Sequence, residues 1–162
     1  MEHRPRRARC SGCAVTHVLL AVTLAARRAD SAAVIAAAIE AKTATGAGHR
    51  VIAVRLSRPA STVRDWLRSF AACAGIIVEK FTALTVRDAA DAARIWPKPV
   101  GSAAGQALSA LAAYSKVLGQ RFGAVVTVAW EQAGIAVCNG WLFCRSWWEN
   151  SANTNPPLCP AP

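Results

Sequence analysis

The segment GHRVIAVRLSRPASTVRDWLRSF, Gly48 to Phe70, constrains this chain more than any other stretch. Ile52 and Leu56 recur at helical spacing, and Val63, Trp66 and Leu67 do so again after an interruption at Ser57, Arg58 and Pro59. Two short apolar stripes separated by a tight turn suit two helices crossing closely, and Ala53 is small enough to let the second pass over the first. Pro59 lies where the second helix should begin, a place that tolerates its fixed φ and missing N–H. This order matches a helix-turn-helix, whose second helix enters the DNA major groove. The outward residues of that helix are Ser61, Thr62, Arg64, Asp65 and Arg68, with Arg50, Arg55 and Arg58 flanking them for phosphate contact. Two positions depart from the usual pattern. The turn holds Ser57 where glycine often supplies positive φ, and Arg58 where an apolar side chain usually tucks under the helices. An ordinary helical hairpin in an alanine-rich domain is the alternative.

Charge leans the same way. The formal net charge is +10, which calls for a polyanionic partner or for solubility by self-repulsion. Residues 1–70 hold 12 Lys/Arg against 4 Asp/Glu, whereas residues 71–162 hold 7 against 5. The excess therefore gathers around the expected reading helix, although an Arg-rich N-terminus is also what a disordered tail looks like.

Upstream of it, Asp30 and Ser31 offer an N-cap to AAVIAAAIEAKTA, in which Val34, Ile35, Ala38 and Ile39 share a face, and Thr45 to Gly48 ends that helix. Together these give a trihelical unit. Downstream, AACAGIIVEKFTALTVRDAADAARIW reads as a further helix, broken near Gly75, with Ile77, Phe81, Leu84 and Ala92 packing back. Pro97 to Gly101 reads as a linker. A helix follows with Leu108, Leu111, Tyr114 and Leu118 on one side, then a mixed segment ending in an Asn139-Gly140 turn. The expected fold is mainly α, a trihelical helix-turn-helix bundle followed by further helices. The hydrophobic content of 54% is largely alanine, which favours helix but buries little area, so the core should be modest. The expected division is 1–28, 29–72, 73–145 and an irregular Trp- and Pro-containing tail over 146–162.

The N-terminus carries Cys10 and Cys13 in CxxC spacing, half of a structural zinc site. Zinc needs four ligands and no second CxxC follows. His3 and His17 could complete a set, but His17 opens an apolar stretch better suited to a strand or core segment. Residues 14–26 imitate a secretory h-region after a basic start, yet His17 interrupts them, Arg27 and Arg28 follow at once, and the run is too short to span a bilayer. The six cysteines form no disulfide framework, which favours a reducing cytoplasm.

The ordered pieces RARCSGCAVTHVLL, ARRADSAAVI and GHRVIAVRLSRPASTVRDWLRSF resemble an uncharacterised family of high-GC bacterial proteins that join a zinc-ribbon-like front to a helix-turn-helix. The reading helix is similar to those of transposase and resolvase DNA-binding domains. Trp130-Glu131 and Gly140-Trp141-Leu142 fit more loosely. The resemblance implies double-stranded DNA binding linked to mobile elements and supplies no activity; a regulatory role and a homodimer are expected as further options. The family pattern places another CxxC upstream, and only nine residues precede Cys10. This leaves the metal set at Cys10 and Cys13 incomplete, and no other cofactor is indicated.

Catalysis has little to work with. Asp88, Asp91, Glu131 and Glu149 are the C-terminal acids, and Asp88 with Asp91 reads as a solvated helix face rather than a metal-binding pair. No nucleophile elbow, zincin motif, P-loop or dinucleotide fingerprint occurs. The expectation is a cytoplasmic DNA-binding module with no catalytic domain of its own and no membrane attachment. The alternatives are a helical protein-interaction module without DNA binding, or a secreted protein with residues 1–28 as its signal peptide.

Overall fold

Alanine-rich periodicity produces three consecutive helices over residues 32–88 in the computed structural model, which describes residues 6–12, 14–121, 123 and 127–145. The first, α1 (Ala32–Thr45), buries Ile35, Ala36, Ala38 and Ile39, and Gly46 at φ +70° closes it by donating its N–H to the Lys42 carbonyl. Ser31 holds the N-cap position with extended backbone, but its side chain makes no capping bond. The second helix is α2 (His49–Leu56) and the third α3 (Ala60–Asp88). All three pack on one another. The fold is mainly α, as its periodicity predicts.

The expected break near Gly75 does not occur. α3 runs 29 residues without interruption, about 43 Å at 1.5 Å per residue. Gly75 lies on the exposed side with open space around it, while its neighbours Cys73, Ala74 and Ile77 are buried. The intrinsic cost of a mid-helix glycine is about 1 kcal/mol, which the flanking burial outweighs. α3 is long and apolar enough to cross a membrane by length and composition, a property it shares with core helices of soluble bundles.

A 3-10 turn (Ala93–Ile95) leads to α4 (Ala103–Arg121), which buries Ala107, Ala110, Leu111, Tyr114 and Val117 against α3. Small residues at 107 and 110 permit this close approach. The segment Pro97 to Gly101 is pinned rather than a free linker. Ser109 Oγ accepts from the Lys98 N–H (2.8 Å) and donates to its carbonyl (2.9 Å), and Gln106 Oε1 accepts from the Val100 N–H (2.8 Å). The last helix, α5 (Trp130–Val137), sits so close to its neighbours that a Cβ on Gly134 would lie 2.5 Å from Leu142 and 3.0 Å from Leu111. Asn139 and Gly140 both take positive φ, forming the turn expected there.

One core connects these parts. It reaches from Ala25 through α1–α5 to Leu142, Phe143 and Cys144, with Trp130 edge-on to both Phe70 and Phe143. The boundary expected between 72 and 73 therefore falls inside a continuous helix, and residues 29–72 and 73–145 share their core.

At the N-terminus, β1 (Arg6–Arg9) pairs antiparallel with β2 (Thr16–Leu19), in the register Arg6 to Leu19 and Arg9 to Thr16. His17 thus opens a strand segment, but not a core one: Val15, Val18, Leu19 and Val22 are exposed. Cys10 lies in the connecting loop, where its N–H donates to the Val15 carbonyl and its carbonyl accepts from Ala14. Among the described residues no three His, Cys, Asp or Glu side chains gather as a metal set. Cys13, His3 and the 146–162 tail lie outside the described residues.

Candidate nucleic-acid interface

The turn between α2 and α3 explains both unusual residues in the sequence. Ser57 adopts φ +52°, the left-handed conformation glycine usually supplies, and donates its N–H to the Val54 carbonyl while the Arg58 N–H donates to Ala53. This pair of bonds is a Schellman closure. A non-glycine residue in that region costs roughly 1 kcal/mol, offset by the carbonyls it satisfies. An apolar side chain normally seals such a closure. Here Arg58 reaches back to the front of α1, its Nε 2.5 Å from Asp30 Oδ1, and its Nη1 donates to the Ser57 carbonyl (3.1 Å). The Arg58–Asp30 pair is partly exposed, so its contribution is about 0–1 kcal/mol, but it ties the turn to α1. Arg58 is therefore less free for phosphate contact than Arg50 or Arg55, which stand exposed on α2.

Pro59 occupies the N-cap and α3 begins at Ala60. From there the helix divides cleanly. Val63, Trp66 and Phe70 are buried, and Trp66 is among the largest fully buried side chains in the molecule. Ser61, Arg64, Asp65 and Arg68 are exposed along one stripe at i, i+3, i+4 and i+7, and Thr62 is half-buried beside it. The eight residues predicted to meet DNA thus all reach the surface, on α2, the turn and the head of α3. His49 opens α2.

A feature that sequence reasoning missed adjoins this stripe. Arg27, Arg28, Asp65, Arg68, Ser69, Trp141, Cys144 and Arg145 line a cleft of about 380 Å³. Three distant segments meet there. The Ala26 N–H donates to the Gly140 carbonyl (2.8 Å), Cys144 Sγ donates to the Ala26 carbonyl (3.3 Å), and Arg28 Nη2 bridges Ser69 Oγ (3.2 Å) and the Phe143 carbonyl. The Arg27 guanidinium stacks 5.2 Å from the centre of the Trp141 ring. Burial pushes the Cys144 thiol up, against the opposing pull of Arg28 and Arg27, which favours its neutral form. The adjacent pair Arg27-Arg28 was the available sequence signal, but nothing local indicated that Arg68 and Arg145 would join it.

Among the described residues the C-terminal acids do not converge. Asp88 closes α3 with its side chain only 6% exposed, accepting from Arg87 at 2.7 and 2.9 Å, from the Tyr114 hydroxyl at 3.3 Å and from Arg121 at 3.4 Å. It is an anchor between α3 and α4, not the solvated face its spacing to Asp91 suggested. The Arg87 hydrogen bond holds its carboxyl below the usual carboxylate range, with burial opposing. Asp91 is exposed beyond the helix, Glu131 is buried in the first turn of α5, and Glu149 lies outside the described residues. Compared with known protein families, with curated proteins and with solved structures, the chain matches none of them.

Proposed function

We propose that this chain binds double-stranded DNA through α2, the following turn and the head of α3, as a regulatory or transposase-associated cytoplasmic module. The observation that carries this reading is the exposed stripe Ser61, Arg64, Asp65 and Arg68, opposite a buried Val63–Trp66–Phe70 stripe, at the start of a helix braced by a tight three-residue turn. A rigid helix head with polar and cationic side chains at successive turns has the shape and chemistry for reading base edges, and arginines on α2 supply positioning charge. The concentration of positive charge in residues 1–70 supports the same face. Arg6, Arg7 and Arg9, exposed on β1, add an arm of the same sign.

Titration of a random duplex by fluorescence anisotropy across a salt series tests this. If about four phosphates are neutralised, log K falls against log salt with a slope of about −3.6. Affinity indifferent to salt, or absent at low salt, rejects it. A second reading has its own observation. Val54 on α2 is 81% exposed and Val51 is 50% exposed, an apolar surface that a protein partner would cover. That reading gains if Val54→Asp abolishes self-association or partner binding while the duplex titration shows nothing.

A further inference from the structure

The arginine cleft is more than an extension of the charged face. Arg28 lies within it, and its Nε is, among the described residues, the buried side-chain nitrogen or oxygen left without a hydrogen-bond partner. A buried, charged donor with no acceptor is costly, and native structures seldom leave one unsatisfied without a reason. Its Nη2 is already committed to Ser69 and Phe143, which fixes the guanidinium plane. Arg27 is held by Trp141, and Arg68 and Arg145 complete the rim. Against these four cations the cleft sets one carboxylate, Asp65, and among the described residues none of the four arginines has a carboxylate within 4 Å. Arg27 also sits at φ +56°, a strained conformation for a residue with a Cβ and one that recurs at binding sites.

We propose that this cleft binds the terminal phosphate of a small molecule, a phosphate monoester. Several guanidinium forks around a concave site match a dianion with three free oxygens, which can accept from more than one arginine at once. The volume of about 380 Å³ exceeds what a bare phosphate needs and falls in the range of small-ligand pockets, leaving room for an organic group. A duplex phosphodiester fits less well. Both of its ester oxygens carry sugars, which leaves two free oxygens on a monoanion where a monoester offers three on a near-dianion. The proposal stands whether or not the α3 stripe binds DNA, although Arg68 borders both.

Isothermal titration of the full chain with inorganic phosphate and with phenyl phosphate, at ionic strength held constant with chloride, tests it. Saturable binding of both at one site is expected. Arg68→Ala and Arg145→Ala, both exposed and outside the core, should each weaken it about tenfold, the size of a lost charged hydrogen bond. Lys116→Ala, exposed on α4, controls for net charge and should leave it unchanged. Melting curves establish that each variant is folded. No saturable binding of either probe overturns the proposal, as does equal weakening in Lys116→Ala. So does a random duplex that loses affinity in the Arg68 and Arg145 variants while neither free phosphate probe binds. That last result would make the cleft a seat for backbone phosphate.

Discussion

The front and back halves of α3 belong to one helix yet carry different surfaces. In front, up to Ala74, the inward stripe of Val63, Trp66 and Phe70 is mirrored outside by Arg64, Asp65 and Arg68, and Phe70 lies edge-on to Trp130 of α5. Behind, Ile77 and Phe81 are equally buried, Phe81 lies edge-on to Tyr114 at 5.8 Å, and Asp88 is anchored to α4. Burial alone does not distinguish them, since both halves are core on one side. What differs is the outward chemistry: a cationic stripe beside an arginine cleft in front, and Glu79, Ala83, Val86 and Arg87 behind, where the Asp88 carboxylate is taken up by Arg87, Tyr114 and Arg121. Core stripes report how the helix is held, and the solvent-facing residues opposite them report what it could touch.

The largest expected effect tests the shared part. Trp66→Ala and Phe81→Ala should each cost about 3–5 kcal/mol, measured by chemical denaturation, because each removes a fully buried ring from one continuous core. A variant that melts like the parent would mean that half of the helix is not packed as described. The next test separates the outward faces. Arg64→Ala should relax preference at one base position by about 1–3 kcal/mol, while Arg68→Ala should weaken all sequences about equally. Competition binding against single-base duplex variants decides, and uniform losses for both mutants would leave Arg64 without a reading role. The smallest effect belongs to the back. The Asp88 carboxyl is held down by Arg87, so the stability it adds is present above the ordinary carboxylate pKa and disappears as pH falls through its lowered one. The melting temperature should therefore drop on acidification, and Asp88→Asn should flatten that acid limb. An unchanged limb would mean the anchor contributes nothing.

Local periodicity made α1, α2, the head of α3 and α4 legible, because each alternates buried and exposed positions at helical spacing within a short window. The turn was legible even through its two odd residues, since Ser57 and Arg58 fill the roles of glycine and an apolar plug by other means. The length of α3 was not, because Gly75 signals a break locally and only flanking tertiary burial overrides it. Asp88 looked solvated because its partners Tyr114 and Arg121 lie on a helix far along the chain. The arginine cleft was illegible for the same reason: it exists only where residues 27–28, 65–69 and 141–145 meet, and no short window contains more than one of its walls.

The unbroken course of α3 also bears on how the molecule could be dissected. A fragment ending at 72 would strip the helix of Cys73, Ala74 and Ile77 and take Trp130 away from Phe70, exposing aromatic surface normally covered from the C-terminal side. The trihelical front is therefore not a detachable cassette. Its shape is borrowed from residues more than fifty positions downstream, and any loss of the C-terminal third would be felt first at the helix that carries Arg64 and Arg68.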